Sequence, residues 1–521
     1  MSLMQTLFRR KNVEAAAQDT GNAEGPQLKK VLTAFDLTMN GIAAIIGAGI
    51  FVLIGTVATQ YSGPGIWLSF ILSGIACVCV AFAYAELAGM IPSAGSAYEY
   101  AYATMGEIVA FLMGWTIVLA YAVGTSAVAV GLAGYLASML APAGVVIPQA
   151  VIQAPPLDSA IGIMAGLLLL GGSVLSNWIV RASGFFWRVV QFIAGIGGVA
   201  LLATSLSGIQ SVNLIAVAAI ALLTLHQYHG VKESVRLTTI MSIVETALVI
   251  VFVALTLGSV KAENLTPVMP FGFMGILTGA ALIFFAYIGF DSITTMGDEC
   301  KNPKRDLPKA ILWSLGVCTV LYILVGVAMV GAVHYTSLDA TAPLADVLSK
   351  VGWGSLVVLF SAGVLISIKS TLSVLLFAQS RIVMRMGKDG LLPQSLAVVG
   401  AKRQTPYVAI FTVGFVSAAA AGLFPIAKLA ELINIGILAA FAVVCIGVVI
   451  LRYTRPDVQR SFRCPLVPWV PILGALISLA MMASLSLITW LIFAGWLVAG
   501  AIVYMLYGRR NSKLNGSTPA A

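Results

Sequence analysis

Apolar runs of about 20 residues recur along nearly the whole chain, the length that a helix needs to cross the hydrocarbon of a bilayer. Of the 521 residues, 60% are hydrophobic and 9% charged, and mean hydropathy is +1.00. Those values lie outside the range of soluble domains. The sequence therefore predicts an all-α polytopic membrane protein. Spans are expected at about 34–58, 66–90, 106–140, 160–180, 185–206, 212–229, 238–258, 274–296, 310–333, 354–380, 407–424, 429–451, 467–485 and 487–508, fourteen in all. The start, MSLMQTLFRRKN, has no apolar core of signal-peptide type, so the first long span serves as the insertion signal. Six cysteines (Cys77, Cys79, Cys300, Cys318, Cys445 and Cys464) show no pairing or metal-ligand spacing and read as reduced packing residues. No metal or other cofactor is expected.

Charge sets the orientation. The basic clusters RRK, LKK, RASGFFWR, GVKESVR, DECKNPKRDLPK, RMGKDG, AKRQTP, RYTRPDVQRSFR and GRRNSK all fall on one side of the predicted spans. Lys261, Lys350 and Lys428 alone fall on the other. The positive-inside rule then puts both termini in the cytoplasm. A net charge of +9 needs no nucleic acid, because the cytoplasmic leaflet's lipids suffice as partner. The segment with Arg181 and Arg188 must cross as a pair of helices or lie as an interfacial hairpin, since a single crossing would invert every later loop. Crossing is the expectation. Residues 1–30 and 509–521 read as polar cytoplasmic tails, the first of them mobile.

Two spans are interrupted. IIGAGIFVLIG places Gly47, Gly49 and Gly55 in an otherwise apolar run, where each glycine costs a helix interior about 1 kcal/mol against alanine. ALIFFAYIGFDSITT carries Gly289 and Asp291 in mid-span. Either the glycines let another helix pack close, or both helices are broken and line a cavity, as in transporters of inverted-repeat type. Breaks free N–H groups that suit a carboxylate and carbonyls that suit an ammonium. A zwitterion has both.

The segments LKKVLTAFDLTMNGIAAIIGAGIFVLIG, AYAELAGMIPSAGSAYEYAY, AVGTSAVAVGLAGYL, GVKES, FFAYIGFDSITT…DECKNPKRDLPKAI, SRIVMRMGKDGLLP and INIGILAAFAVVCIGVVILRYTRPD come in order. Together they resemble the amino acid–polyamine–organocation superfamily, and within it the cationic amino acid transporter branch, bacterial homologues included. The resemblance covers about residues 29–508. It implies a LeuT-type fold: a first inverted repeat over 31–258, holding an inserted hairpin at about 158–207, a second over 259–453, and two C-terminal helices over 454–508. It also implies a mid-membrane amino acid site. There Ile46, Gly47, Ala48, Gly49 and Ile50 would hold the carboxylate through backbone amides. Phe285, Ala286, Tyr287 and Ile288 would offer carbonyls to the α-amino group, with Phe285 closing over the substrate as the outer gate.

The chain departs from the family pattern in three places. The segment 158–207 is extra. In GWTIVLAY, Ala120 stands where the family has glutamate. Glu245 stands where the family has a buried lysine, whose ammonium takes the place of sodium in sodium-coupled members. Another lysine, Lys369, appears in the family's eighth helix. The expectation is that Glu245 and Lys369 pair there and couple transport to protons, since intramembrane charges call for partners. The alternatives are a snorkelling Lys369 and an inert Glu245.

Among other polar residues, His226 and His229 read as structural, Asp291 as a brace of the broken helix, and Glu86, Asp298 and Glu299 as partners of basic residues at the inner gate; Asn40 has no evident role. Nucleotide loop, metal cluster and catalytic triad are all missing from the sequence, so an enzyme is not expected. The function implied is secondary active transport of an amino acid in the bacterial inner membrane, by proton symport or exchange. A non-transporting amino acid sensor and a sodium-coupled symporter are the rivals.

Overall fold

The computed structural model describes residues 7–11, 32–47, 49–92, 95–140, 144–155, 211–228, 235–339, 342–400 and 405–515. The extra segment 158–207, Ala48 and His229 lie outside the described residues, as do the side chains of Asp298 and Glu299.

Among the described residues the chain is helical, and the apolar spans are its helices. In order these are α1 (Ala34–Ile45), α2 (Ile66–Met90), α3 (Ala97–Thr104), α4 (Glu107–Leu140), α5 (Leu214–Tyr228), α6 (Val235–Leu257), α7 (Gly272–Ile283), α8 (Pro303–Ala332), α9 (Val357–Lys388), α10 (Tyr407–Leu423), α11 (Ile426–Thr454), α12 (Trp469–Ala483) and α13 (Leu487–Val503). Eight stretches are long and apolar enough to cross a membrane, one of them running from Ala34 to Met90 through two predicted spans. Three shorter apolar helices, α5, α10 and α12, complete the predicted set outside 158–207. This is an integral membrane protein. Local sequence explains the entry to α1: Thr33 caps it, its hydroxyl accepting from the Asp36 amide while the Asp36 carboxylate accepts from the Thr33 amide. Asn40, whose role the sequence left open, turns its side-chain amide back onto the Asp36 carbonyl at 2.7 Å within the same helix.

The core gathers α1, α4, α8 and α9. Helix α4 lies against α9 and α11, and α8 against α1 and α2. Gly436 of α11 shows how close these approaches are, because a Cβ there would come 3.1 Å from the Cβ of Ala120. The missing family glutamate is thus replaced by a small-on-small contact. Trp115 of α4 and Trp496 of α13 stack at 4.6 Å, and each indole donates to the other's carbonyl, at 2.9 and 3.0 Å. All six cysteines are free and buried.

Charge concentrates at the end where α2, α9 and α11 finish. Buried Glu86 accepts two hydrogen bonds from Arg452, at 2.8 and 2.7 Å, one from Arg460 at 3.0 Å, and one from the Cys464 amide at 2.7 Å. The basic partners expected for Glu86 are therefore in place. Burial pushes the Cys464 thiol up to about 12. The tail expected to be mobile is tied down over residues 7–11. Arg9 accepts at its carbonyl from the Glu107 amide (2.9 Å), and Lys11 reaches Glu99 and Asp389. Gly106, at φ +107°, leaves no room for a Cβ against Phe8, which would lie 2.8 Å away. Burial raises the Glu99 carboxyl, against the pull of Lys11 and Arg385. The contact escaped the sequence reading because the five residues, LFRRK, are too few to show a periodicity.

Removing one partner of a buried ion pair strands the other charge. Glu86→Ala should therefore cost about 3 kcal/mol and lower the thermal midpoint measured in detergent. An unchanged midpoint would mean that Arg452 and Arg460 are solvated instead.

Candidate functional site

Both predicted interruptions are breaks. Helix α1 ends at Ile45, and Ile46 is extended at φ −72° and ψ 110°. Helix resumes at Gly49 and runs on through residue 62 in π- and α-turns. Helix α7 tightens to a 3₁₀ turn over Phe284–Tyr287, becomes extended at Ile288 and turns at Gly289, φ +133°. A 3₁₀ helix, Phe290–Glu299, follows.

The breaks pass one another antiparallel and touch. A Cβ on Gly49 would lie 2.3 Å from the Cα of Ala286, and one on Gly289 would lie 2.4 Å from the Ala44 carbonyl oxygen. Gly289 thus has two reasons to be glycine, the close approach and a φ that side chains disfavour. Gly47 faces Thr371 of α9 at 3.0 Å, and Gly55 faces Pro343 at 2.8 Å. The two readings of the glycines are therefore not exclusive: the helix is broken, and bare backbone meets another broken helix.

Side chains from intact helices cover the freed carbonyls. The Tyr322 hydroxyl of α8 lies 2.8 Å from the Ile45 carbonyl and 2.9 Å from that of Ala286. Thr371 of α9 has its hydroxyl 3.3 Å from the Ala43 carbonyl and 3.2 Å from that of Ile46. Asn434 of α11 donates its amide to the carbonyls of Ala281 (2.6 Å) and Leu282 (3.1 Å). Asp291 acts as the brace expected of it, accepting from the Gly289 amide at 3.2 Å and from the Tyr121 hydroxyl of α4 at 2.7 Å. Unsatisfied backbone groups in hydrocarbon cost several kcal/mol each, so these contacts are what permit the breaks.

Of the predicted site residues, Ile46, Gly47, Gly49 and Ile50 come together with Phe285, Ala286, Tyr287 and Ile288 in one buried cluster. Tyr287 turns its hydroxyl to the Phe70 carbonyl at 2.9 Å. The direct pairing expected of Glu245 and Lys369 gives way to a different contact, since the hydrogen bond that Glu245 takes from α9 comes from Ser367. Lys369, two residues on, is turned roughly 200° around the helix and is half-buried. Glu245 itself is buried, and its second oxygen has no hydrogen-bond partner among the described residues. Tyr322, Thr371, Asn434 and Tyr121 were missed as site residues, although each is a polar group inside an apolar span, which was the available signal. An apolar cleft of about 580 Å³ between α5 and α10, lined by Val212, Ala221, Phe411 and Phe415 among others, suits no zwitterion, because its one hydroxyl, on Thr224, is spent on the Ile220 carbonyl.

A membrane protein with two broken helices crossing at bare backbone belongs to a recognisable class, the membrane transporters. The family model described as amino acid permease matches residues 30–508, so the chain belongs to the amino acid permease family, within the superfamily that its motifs resemble. It is 38% identical to a methylthioribose transporter of Bacillus subtilis (strain 168), over 98% of this chain and 100% of the relative. It is 37% identical to the branched-chain amino acid permease BcaP of the same organism, over 98% and 99%. Cationic amino acid transporter 4, vacuolar, of Arabidopsis thaliana is 35% identical over 87% of this chain and 68% of the relative.

The close approach at Gly49 is to backbone, which cannot swing aside, whereas Gly47 meets a side chain. Gly49→Ala should cost about 2 kcal/mol and remove substrate-induced thermal stabilisation, while Gly47→Ala retains most of it. Equal behaviour of the two variants would show that the breaks separate when substrate binds.

Proposed function

We propose that the protein is a secondary active amino acid transporter working by alternating access. The observation that carries this reading is the antiparallel crossing of two breaks, with neutral hydroxyls that a ligand can replace against the carbonyls of Ile45, Ile46 and Ala286. The antiparallel crossing also supports a LeuT-type arrangement, in which 31–258 and 259–453 are inverted repeats, 454–508 supplies two further helices, and 158–207 brings the helices to fourteen. Amides of Ile46, Gly47, Ala48, Gly49 and Ile50 receive the substrate carboxylate. Carbonyls of Phe285, Ala286, Tyr287 and Ile288 receive its ammonium, and Phe285 closes the outer side. The chain sits in the bacterial plasma membrane with both termini cytoplasmic, as the positive charge distribution supports.

Coupling is assigned to Glu245 and Lys369, with α9 as the element that both bias. Glu245 meets α9 through Ser367, and Thr371 of the same helix holds the end of α1. Protonating Glu245 changes its hold on α9, and a proton shifts the access equilibrium only through such a difference between the two states. One observation favours a second reading of the substrate. The methylthioribose transporter matches this chain over the relative's whole length, and a thiosugar has neither carboxylate nor ammonium.

A thermal-shift screen of the purified protein against the common amino acids and methylthioribose separates these substrates. Uptake into proteoliposomes under imposed proton or sodium gradients then tests transport, and binding without uptake would mark a sensor. Glu245→Gln should flatten the pH dependence of uptake, and Lys369→Ala should impair uptake more than binding. An unchanged pH profile in the first variant together with full uptake in the second would remove the coupling assignment.

A further inference from the structure

Tyr322 stands in an unusual position. It is fully buried in mid-helix on α8, and its single hydroxyl lies across carbonyls from two different broken helices, Ile45 before the first break and Ala286 within the second. Its ring is fixed between Phe70 (centroids 5.4 Å apart) and Tyr287 (5.3 Å), so the hydroxyl has little freedom to leave both acceptors. A phenol has one proton to donate and here has two acceptors to serve. The other hydroxyl at the crossing, on Thr371, turns to Ala43 and Ile46.

We infer that the Tyr322 hydroxyl is the empty-state stand-in for the substrate's amino group at the Ala286 carbonyl, and so sets the preference for substrates that carry an amine. The inference rests on the reading of Ala286 as an ammonium acceptor. When the site is empty, Tyr322 shares its proton between the two carbonyls and keeps both from being stranded. When an ammonium arrives at Ala286, a stronger charged donor takes that oxygen, and the phenol keeps only its bond to Ile45. Binding an amine therefore exchanges one donor for another at the Ala286 oxygen, and the phenol bond given up there is subtracted from what the amine gains. A ligand without the amine gains nothing at this point. The empty carrier also depends on Tyr322 more than the loaded one does, since an unpartnered buried carbonyl is costly.

The test uses the full-length protein and two variants of opposite sign. Tyr322→Phe keeps the ring and deletes the donor. Replacement of Tyr322 by 3-fluorotyrosine is nearly isosteric and makes the donor stronger. Kd is measured for the amino acid that the wild type binds best and for its analogue in which hydrogen replaces the α-amino group. In Tyr322→Phe the preference for the amine should rise at least fivefold, because the ammonium now relieves a stranded carbonyl. With 3-fluorotyrosine the preference should fall. In proteoliposomes, Tyr322→Phe should slow net uptake, which needs the empty carrier to return, more than it slows exchange of internal for external substrate. A purely structural tyrosine would change both Kd values alike and both fluxes alike, and that result overturns the inference. If Tyr322→Phe does not fold, the 3-fluorotyrosine ratio decides alone, and an unchanged ratio overturns it. A wild type that binds no amino acid overturns the function reading itself, and the inference with it.

Discussion

Lipid offers no hydrogen bonds, and the centre of this protein is organised by that constraint. A helix broken in hydrocarbon exposes amides and carbonyls that water cannot reach. The chain breaks two helices and meets the cost by crossing them, so that each shields the other and intact neighbours supply donors. Tyr322 from α8, Thr371 from α9, Asn434 from α11 and Tyr121 from α4 each contribute one polar group. The close contacts of α1, α4, α8 and α9 follow, because those helices must stand near enough for short side chains to reach.

The same economy explains how the site can work. Carbonyls held by hydroxyls are satisfied but not saturated, so a charged donor of the right geometry can displace or join the hydroxyl without leaving a group stranded. Buried Glu245 is a second such case: one oxygen is engaged by Ser367, and the other has no partner among the described residues. A buried carboxylate with a vacant acceptor differs sharply in energy between its charged and neutral forms. Through Ser367 that carboxylate contacts α9, the helix whose Thr371 meets the end of α1.

At the basic end, the logic is reversed. Glu86, Glu99 and Glu107 are buried, and their partners come from distant parts of the chain: Arg452 and Arg460 for the first, Arg385 and Lys11 for the second, Arg9, Tyr504 and Ser512 for the third. Charge pairs close this end, whereas neutral hydroxyls hold the middle. Helix α9 reaches both, with Thr371 at the crossing and Arg385 one turn from its end.

Hydropathy by itself determined the solvent, the spans and the predominance of helix, because burying a helix in lipid requires only length and apolarity. Glycine placement marked where two helices break, with close packing as the other reading of Gly47, Gly49 and Gly289, and the structure uses them for both. Which groups would meet at the breaks was not legible. Tyr322 lies 36 residues from Ala286 and 277 from Ile45, and such separations leave no trace in periodicity. The contact of Glu245 with Ser367 was not legible either, because the register of α9, not its charge pattern, turns that hydroxyl to the carboxylate. Residues 7–11 were read as tail because their anchors, Glu99, Glu107 and Asp389, come from later in the sequence. Composition and pattern fix what each segment is. Tertiary packing alone decides which freed carbonyl finds which hydroxyl, because that depends on the rotation of each helix about its own axis.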